Sequence, residues 1–236
     1  MLIGLTGGYP MGAAYLAELT EQGRLSPREA GRLLGFCNNT GPSFLVGAIG
    51  AGVFGSVRAG LLLYLSHVLA ALLSGLLLRG RAAPDAEEDR DEACSASLSQ
   101  ALTGAVRDAV PAILSVCGFV LLFTVFTGLL EANGFLAPMS AGLEALLGLS
   151  PAQSKALLLG FWELGSGIGA LRGLPPEPLN LALAAALAGW GGISVHMQSL
   201  AQFAELSVDC GRHLPARLLS AALGGGLCFL LTGLLL

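Results

Sequence analysis

Charge is what this sequence of 236 residues has least of: only 12% of it is Asp, Glu, Lys or Arg, about half the share carried by an ordinary soluble domain. That is too little to cover a soluble surface. Its five cysteines, Cys37, Cys94, Cys117, Cys210 and Cys228, show no C-x-x-C spacing, and three sit in apolar segments as small hydrophobes do. Neither a disulfide framework nor a zinc site is indicated. H-E-x-x-H, G-x-S-x-G and P-loop motifs are lacking too, so an intramembrane hydrolase has no identifiable nucleophile or metal, and the expectation is a protein that is not an enzyme. Gly50 to Gly55 matches G-x-G-x-x-G without a preceding strand or a βαβ unit, which makes it a helix-packing pattern. The net charge of −4 is small, and its acidic excess lies mostly in one loop, Ala83 to Glu92. Nucleic acid is excluded as a natural partner. The first residues lack the basic segment and cleavage pattern of a signal peptide.

What is present is apolar length, with 54% hydrophobic residues and a mean hydropathy of +0.73. Charge-free runs cover 25 residues from Leu33 to Val57, 20 from Ala59 to Leu78 and 22 from Ala109 to Leu130. Two more extend from Pro178 to Ala204 and from Leu218 to the C-terminus. A bilayer core of about 30 Å needs about 20 apolar helical residues, and lipid leaves helix as the default because it cannot satisfy a free backbone. The fold class is therefore an all-α polytopic membrane protein.

Some of these runs are interrupted where lipid tolerates interruption least. Gly7 to Pro10 reads as the tip of a re-entrant hairpin, with its second arm from Met11 to Glu21. Ser26, Pro27 and Glu29 start a helix that meets Asn38-Asn39-Thr40-Gly41-Pro42 in mid-run. Glu163 to Gly167 and Gly189 to Ser194 break two later helices, while 59–78, 109–130 and 217–236 read as plain spans. The order hairpin tip, broken helix, plain helix thus occurs twice, as an inverted repeat if each hairpin returns to its own side. The chain divides into a first repeat (1–79), a charged cytoplasmic loop (80–108), a connecting helix and linker (109–150) and a second repeat (151–236). This topology gathers Arg24, Arg28, Arg32, Arg79, Arg81, Arg90, Arg107, Arg212 and Arg217 on one face, which positive-inside bias makes cytoplasmic. Arg58, Lys155 and Arg172 fall on the other.

Broken helices place dipole ends and free backbone groups at mid-membrane, where transporters bind polar solutes. The residues expected to line such a site are Thr6, Tyr9, Asn38, Asn39, Thr40, Ser43, Glu163, Ser166, Ser194, His196, Gln198 and Ser199. Asn38 and Asn39 have a second reading, as hydrogen-bonding glue between helices. Glu163, an ionisable group inside the membrane, points to substrate, proton or cation handling, against the alternative of an interfacial carboxylate. His196 is divided between site and structural partner, His67 reads as packed, and His213 as a solvated loop residue.

The segments GGYPMGA (7–13), FCNNTGPSFLVGAIG (36–50), ELGSGIGAL (163–171) and GWGGISVHMQS (189–199) resemble the YlbJ-like sporulation integral membrane proteins of the nucleoside-recognition, or Gate, domain group. The resemblance implies a multi-pass membrane protein of endospore-forming bacteria, distantly similar to concentrative nucleoside transporters, that moves dipicolinate across the outer forespore membrane. The chain differs from that pattern in lacking N-terminal helices and the first hairpin arm, so an upstream polypeptide or an oligomer is expected to complete the fold. Expected partners are the lipid bilayer and a small polar or anionic solute. No cofactor is expected, and whether an ion, Na+ or H+, couples to transport is not readable from the sequence. The alternative function is a non-transporting structural or partner-binding membrane protein required for sporulation.

Overall fold

A computed structural model describes residues 1–79 and 97–235; Arg81, Arg90, Cys94 and the acidic stretch Ala83 to Glu92 lie outside the described residues. In chain order the helices are α1 (Leu2–Gly7), α2 (Met11–Glu21), α3 (Pro27–Cys37), a π-helix (Ser43–Val53), α4 (Val57–Leu77), α5 (Leu98–Ala132), α6 (Leu136–Leu147), α7 (Pro151–Trp162), α8 (Leu164–Ala170), α9 (Pro178–Trp190), α10 (Gly192–Ala201) and α11 (His213–Leu235). No strand occurs among the described residues. Four stretches are long and apolar enough to cross a membrane: Val57–Leu77, Leu98–Ala132, Pro178–Ala201 and His213–Leu235. Together with their apolar exteriors they make this a multi-pass membrane protein.

Local signals set the helix starts. Ser26 accepts the Glu29 N–H at 3.3 Å ahead of Pro27, and Ser150 forms a reciprocal capping box with Gln153 ahead of Pro151, each satisfying donors that a helix start leaves free. The linker part of the 109–150 segment contains α6.

Two plain helices form the spine. Arg58 at the start of α4 donates to the Leu235 carbonyl at the end of α11, while Ser74 and Ser220 hydroxyls lie 3.1 Å apart. Hence α4 and α11 run antiparallel. Helix α9 lies antiparallel along α11 as well: a Cβ on Gly189 would stand 2.7 Å from the Ala221 Cα, and one on Gly225 would meet the Ala182 carbonyl oxygen at 3.2 Å. Small residues let these backbones approach closely, the usual means of joining helices in lipid. The Pro178–Ala201 span is 72% buried and the α5 span only 6%, so α9 and α10 are central while α5 presents its apolar surface outward. Its exposed Leu102, Val106, Ile113, Leu114 and Leu121 suit a lipid environment.

Each expected hairpin is a pair of helices folded tightly on each other. In the first, a Cβ on Gly4 would lie 3.4 Å from the Gly12 Cα, so α1 supplies a short first arm where none was expected. In the second, a Cβ on Gly167 would lie 2.3 Å from the Gly160 Cα. The π-helix after the first break exceeds the single-turn bulge in which such geometry usually occurs; it rests on α4 through Gly50, whose added Cβ would be 2.3 Å from the Gly60 Cα.

Basic residues divide between the two ends. A Cβ on Gly31 would meet the Asp209 carbonyl oxygen at 2.0 Å, which brings the segment holding Arg28 and Arg32 beside Arg212. Arg58 stands at the far end of α11. Arg217 departs from the expected distribution: it is 1% exposed and belongs to the interior.

Candidate functional site

At the first break, α3 ends at Cys37 and Asn38 takes an extended conformation, with φ −103° and ψ 108°. The freed backbone finds local partners. Thr40 donates its N–H to His67 Nε2 at 3.1 Å, which places the imidazole proton on Nδ1; Asn39 Nδ2 donates to the Phe36 carbonyl at 2.8 Å. Asn38 is fully buried, accepting the Ala13 N–H at 3.3 Å and donating to Ser199 Oγ at 2.7 Å. One side chain therefore joins the first hairpin, the first break and α10. The hairpin tip lies against this segment, since a Cβ on Gly8 would be 3.1 Å from the Gly41 nitrogen. His67, read from sequence as a packed residue, is buried and also an acceptor for the break. We expect His67→Phe to lower stability by about 1–3 kcal/mol, the cost of a buried N–H left without an acceptor, as measured by thermal unfolding in detergent.

At the second break, Gly191 and Gly192 have φ of 90° and 80°, a region that side chains with a Cβ disfavour. Close packing adds to the restriction: a Cβ on Gly192 would stand 3.0 Å from the Leu164 nitrogen and 3.1 Å from the Trp162 carbonyl oxygen. The second hairpin tip is thus seated on the second break as the first is on its own. Glu163 forms that tip and is 5% exposed. Its carboxylate accepts the Gly165 N–H at 2.8 Å and the Ser166 N–H at 2.5 Å, capping the start of α8 with a negative charge where the helix dipole favours one.

Arg217, from α11, joins the breaks. Its Nη1 donates to the Asn38 carbonyl at 2.9 Å, and Nη2 donates to the Tyr9 hydroxyl and the Gly189 carbonyl. Tyr9 and Thr40 both donate to the Ala188 carbonyl, at 3.2 and 3.0 Å. These bonds satisfy carbonyls that helix ends leave unpaired, and they bind α3, α9 and the first hairpin into one joint.

Beside this joint lies a cavity of about 240 Å³, below the roughly 300–1,000 Å³ of drug-sized sites. Tyr9, Thr40, Ser43, Glu163 and Gln198 contribute its polar wall, Gly7, Gly8 and Gly41 its backbone wall, and Val116 and Val120 of α5 an apolar side. Glu163 is the one charged residue among the described lining residues. Of the other expected site residues, Asn38, Asn39 and Ser199 lie within the break and its bonds, and Ser194 accepts from Gln198 Nε2 at 3.1 Å. Ser166 gives its backbone N–H to Glu163, while Thr6 is exposed and bonds back to the Leu2 carbonyl at 2.9 Å.

His196 faces another direction, with Nδ1 3.0 Å from His213 Nε2 and its ring 4.4 Å from that of Trp190. His213, expected in solvent, is 2% exposed. The loop after α10 returns its imidazole onto α10, a contact invisible to local hydropathy. Arg217 and His67 were likewise absent from the expected site. Arg217 gives only the signal of an ionisable residue at the edge of an apolar run, shared by many membrane-surface residues, whereas His67 stands well inside the 59–78 run, where an ionisable side chain is itself a signal of function.

The chain is 28% identical over 243 aligned positions to the sporulation integral membrane protein YlbJ of Bacillus subtilis (strain 168). The alignment covers 93% of this chain and 60% of that protein, so the chain spans less than two thirds of the relative's length. No family profile and no solved structure matches it.

Proposed function

We propose that this chain forms the solute-handling core of a transporter in the bacterial cell membrane, moving a small polar or anionic solute during spore formation. The carrying observation is the cavity of about 240 Å³ at which two hairpin tips, a helix break and α10 converge. Such a meeting of discontinuous helices is where transporters expose backbone groups to solute. Similarity to a sporulation integral membrane protein supports the spore-forming setting; the outer forespore membrane as location and a dipicolinate-like solute as cargo are part of the proposal itself. The proposed partners are a further polypeptide or further copies of this chain, in line with its covering 60% of that relative.

An inverted repeat accounts for the arrangement. The spine helices α4 and α11 occupy equivalent places in the two repeats and run antiparallel, and α3 and α9 bring their C-terminal ends together at Arg217. Alternating access then follows from rocking one repeat against the other around the cavity.

Glu163 decides how an anion enters. A carboxylate in the cavity repels a second negative charge, so carriage of an anionic solute is coupled to entry of a proton, and H+ is the coupling ion. An uncharged polar solute needs no such proton.

The test is uptake of labelled dipicolinate into proteoliposomes with an imposed pH gradient. Wild type is expected to show saturable, gradient-dependent uptake. Val120→Trp, which fills the apolar side of the cavity, should reduce it at least about tenfold, a loss worth about 1.4 kcal/mol. Glu163→Gln should remove the gradient dependence. Absence of specific binding or uptake in the completed protein would favour the non-transporting structural role.

A further inference from the structure

We infer that Arg217 is a built-in counter-cation: its guanidinium occupies the place between the ends of α3 and α9 where a coupling cation would otherwise sit, making the joint of the two half-helices independent of sodium. Each helix C-terminus carries the equivalent of about half a negative charge. Two such ends converge here, so their combined charge is roughly that of one guanidinium.

Half-helix C-termini and unwound carbonyls are also where transporters coordinate Na+. In this protein the carbonyls nearest the guanidinium are already engaged, and Asn39 Oδ1 is the buried side-chain oxygen of the break that has no partner among the described residues. The Asn38 and Gly189 carbonyls accept from Arg217, and the Ala188 carbonyl accepts from Tyr9 and Thr40. The Cys37 carbonyl is covered by the first hairpin, because a Cβ on Gly4 or Gly12 would stand 1.7 or 2.4 Å from its oxygen.

Arg217 is 1% exposed, and no carboxylate forms an ion pair with it among the described residues. A buried charge is costly unless something offsets it. The offset here comes from neutral oxygens at helix ends. Arginine suits the position because its planar fork reaches carbonyls on two helices at once and its charge is permanent. Glu163 is the matching case of opposite sign, a tethered anion at the start of α8. The neutralising role stands on this geometry alone; its consequence, that sodium does not drive the cycle, rests on the transport reading.

The test measures thermal unfolding of the whole polypeptide in detergent, with sodium chloride titrated against N-methyl-D-glucamine chloride at constant ionic strength. Wild type is expected to unfold at the same temperature throughout. A saturable rise with sodium would overturn the inference, whatever the variants do. Arg217→Lys keeps a positive charge and is expected to retain most of the midpoint; Arg217→Met keeps length without charge and is expected to lose about 5 °C. A methionine variant as stable as the lysine variant would remove the electrostatic role. If neither variant folds, the wild-type titration decides by itself. Failure of solute uptake leaves these midpoints untouched, so the two proposals fail separately.

Discussion

Gly12→Ala is expected to lower the thermal midpoint by about 10 °C, corresponding to roughly 3 kcal/mol of overpacking. The added Cβ would stand 2.4 Å from the Cys37 oxygen and 2.7 Å from the Asn38 Cα. Both are backbone atoms of the first break, so no rotamer change relieves the contact, and α2 must move away from the segment it supports. That movement also stretches the bond from the Ala13 N–H to Asn38 Oδ1. Gly4→Ala makes a closer contact, 1.7 Å from the Cys37 oxygen, but α1 has only six residues and its displacement relieves the strain more locally. Gly226→Ala is the control: nothing lies within 4 Å of its added Cβ, and a helical Gly to Ala change there should be neutral or stabilising by up to about 1 kcal/mol. Equal midpoints for Gly12→Ala and Gly226→Ala would show that the hairpin does not rest on the break.

The second large effect is expected from Asn38→Leu. Leucine has similar bulk but leaves the Ala13 N–H without its acceptor and Ser199 Oγ without its donor. Leaving the Ala13 N–H unsatisfied costs about 1–3 kcal/mol, and losing the bond to Ser199 Oγ, which still donates to the Val195 carbonyl, adds about 1 kcal/mol, for a loss of about 2–4 kcal/mol. Thermal unfolding should show a drop of about 10 °C. Because Asn38 lies in the joint and outside the cavity wall, protein that remains folded at low temperature should bind dipicolinate with unchanged affinity. Loss of affinity with an unchanged midpoint would instead place Asn38 in contact with solute.

These experiments separate two kinds of polar residue that are alike in sequence. Tyr9 and Thr40 do both jobs, bonding the Ala188 carbonyl and lining the cavity. Asn39 does neither, and its amide only holds the break by donating to the Phe36 carbonyl. Glu163 closes its own helix start and supplies the cavity's charge. Stability and solute binding therefore share residues at the hairpin tips and diverge within the break.

The membrane character, the all-helical class and the positions of the interruptions were legible in the sequence, because each follows from interactions among neighbours along the chain. A charge-free run long enough to cross lipid must satisfy its own backbone, and Gly-Pro or Gly-Gly inside such a run interrupts that ladder wherever it occurs. Ser26-Pro27 and Ser150-Pro151 marked helix starts for the same local reason. The partners of the interruptions were not legible. Arg217 read as one more arginine of the cytoplasmic face, His213 as a loop residue and His67 as packing, yet all three are buried and two of them bond the broken segments. Which carbonyl an arginine reaches 179 residues away, and which glycine faces a foreign backbone while another faces open space, depend on how α3, α9 and α11 approach one another. Only tertiary packing sets those distances, and in an interior that cannot supply water the same packing decides which polar groups hold the joint and which remain to face a solute.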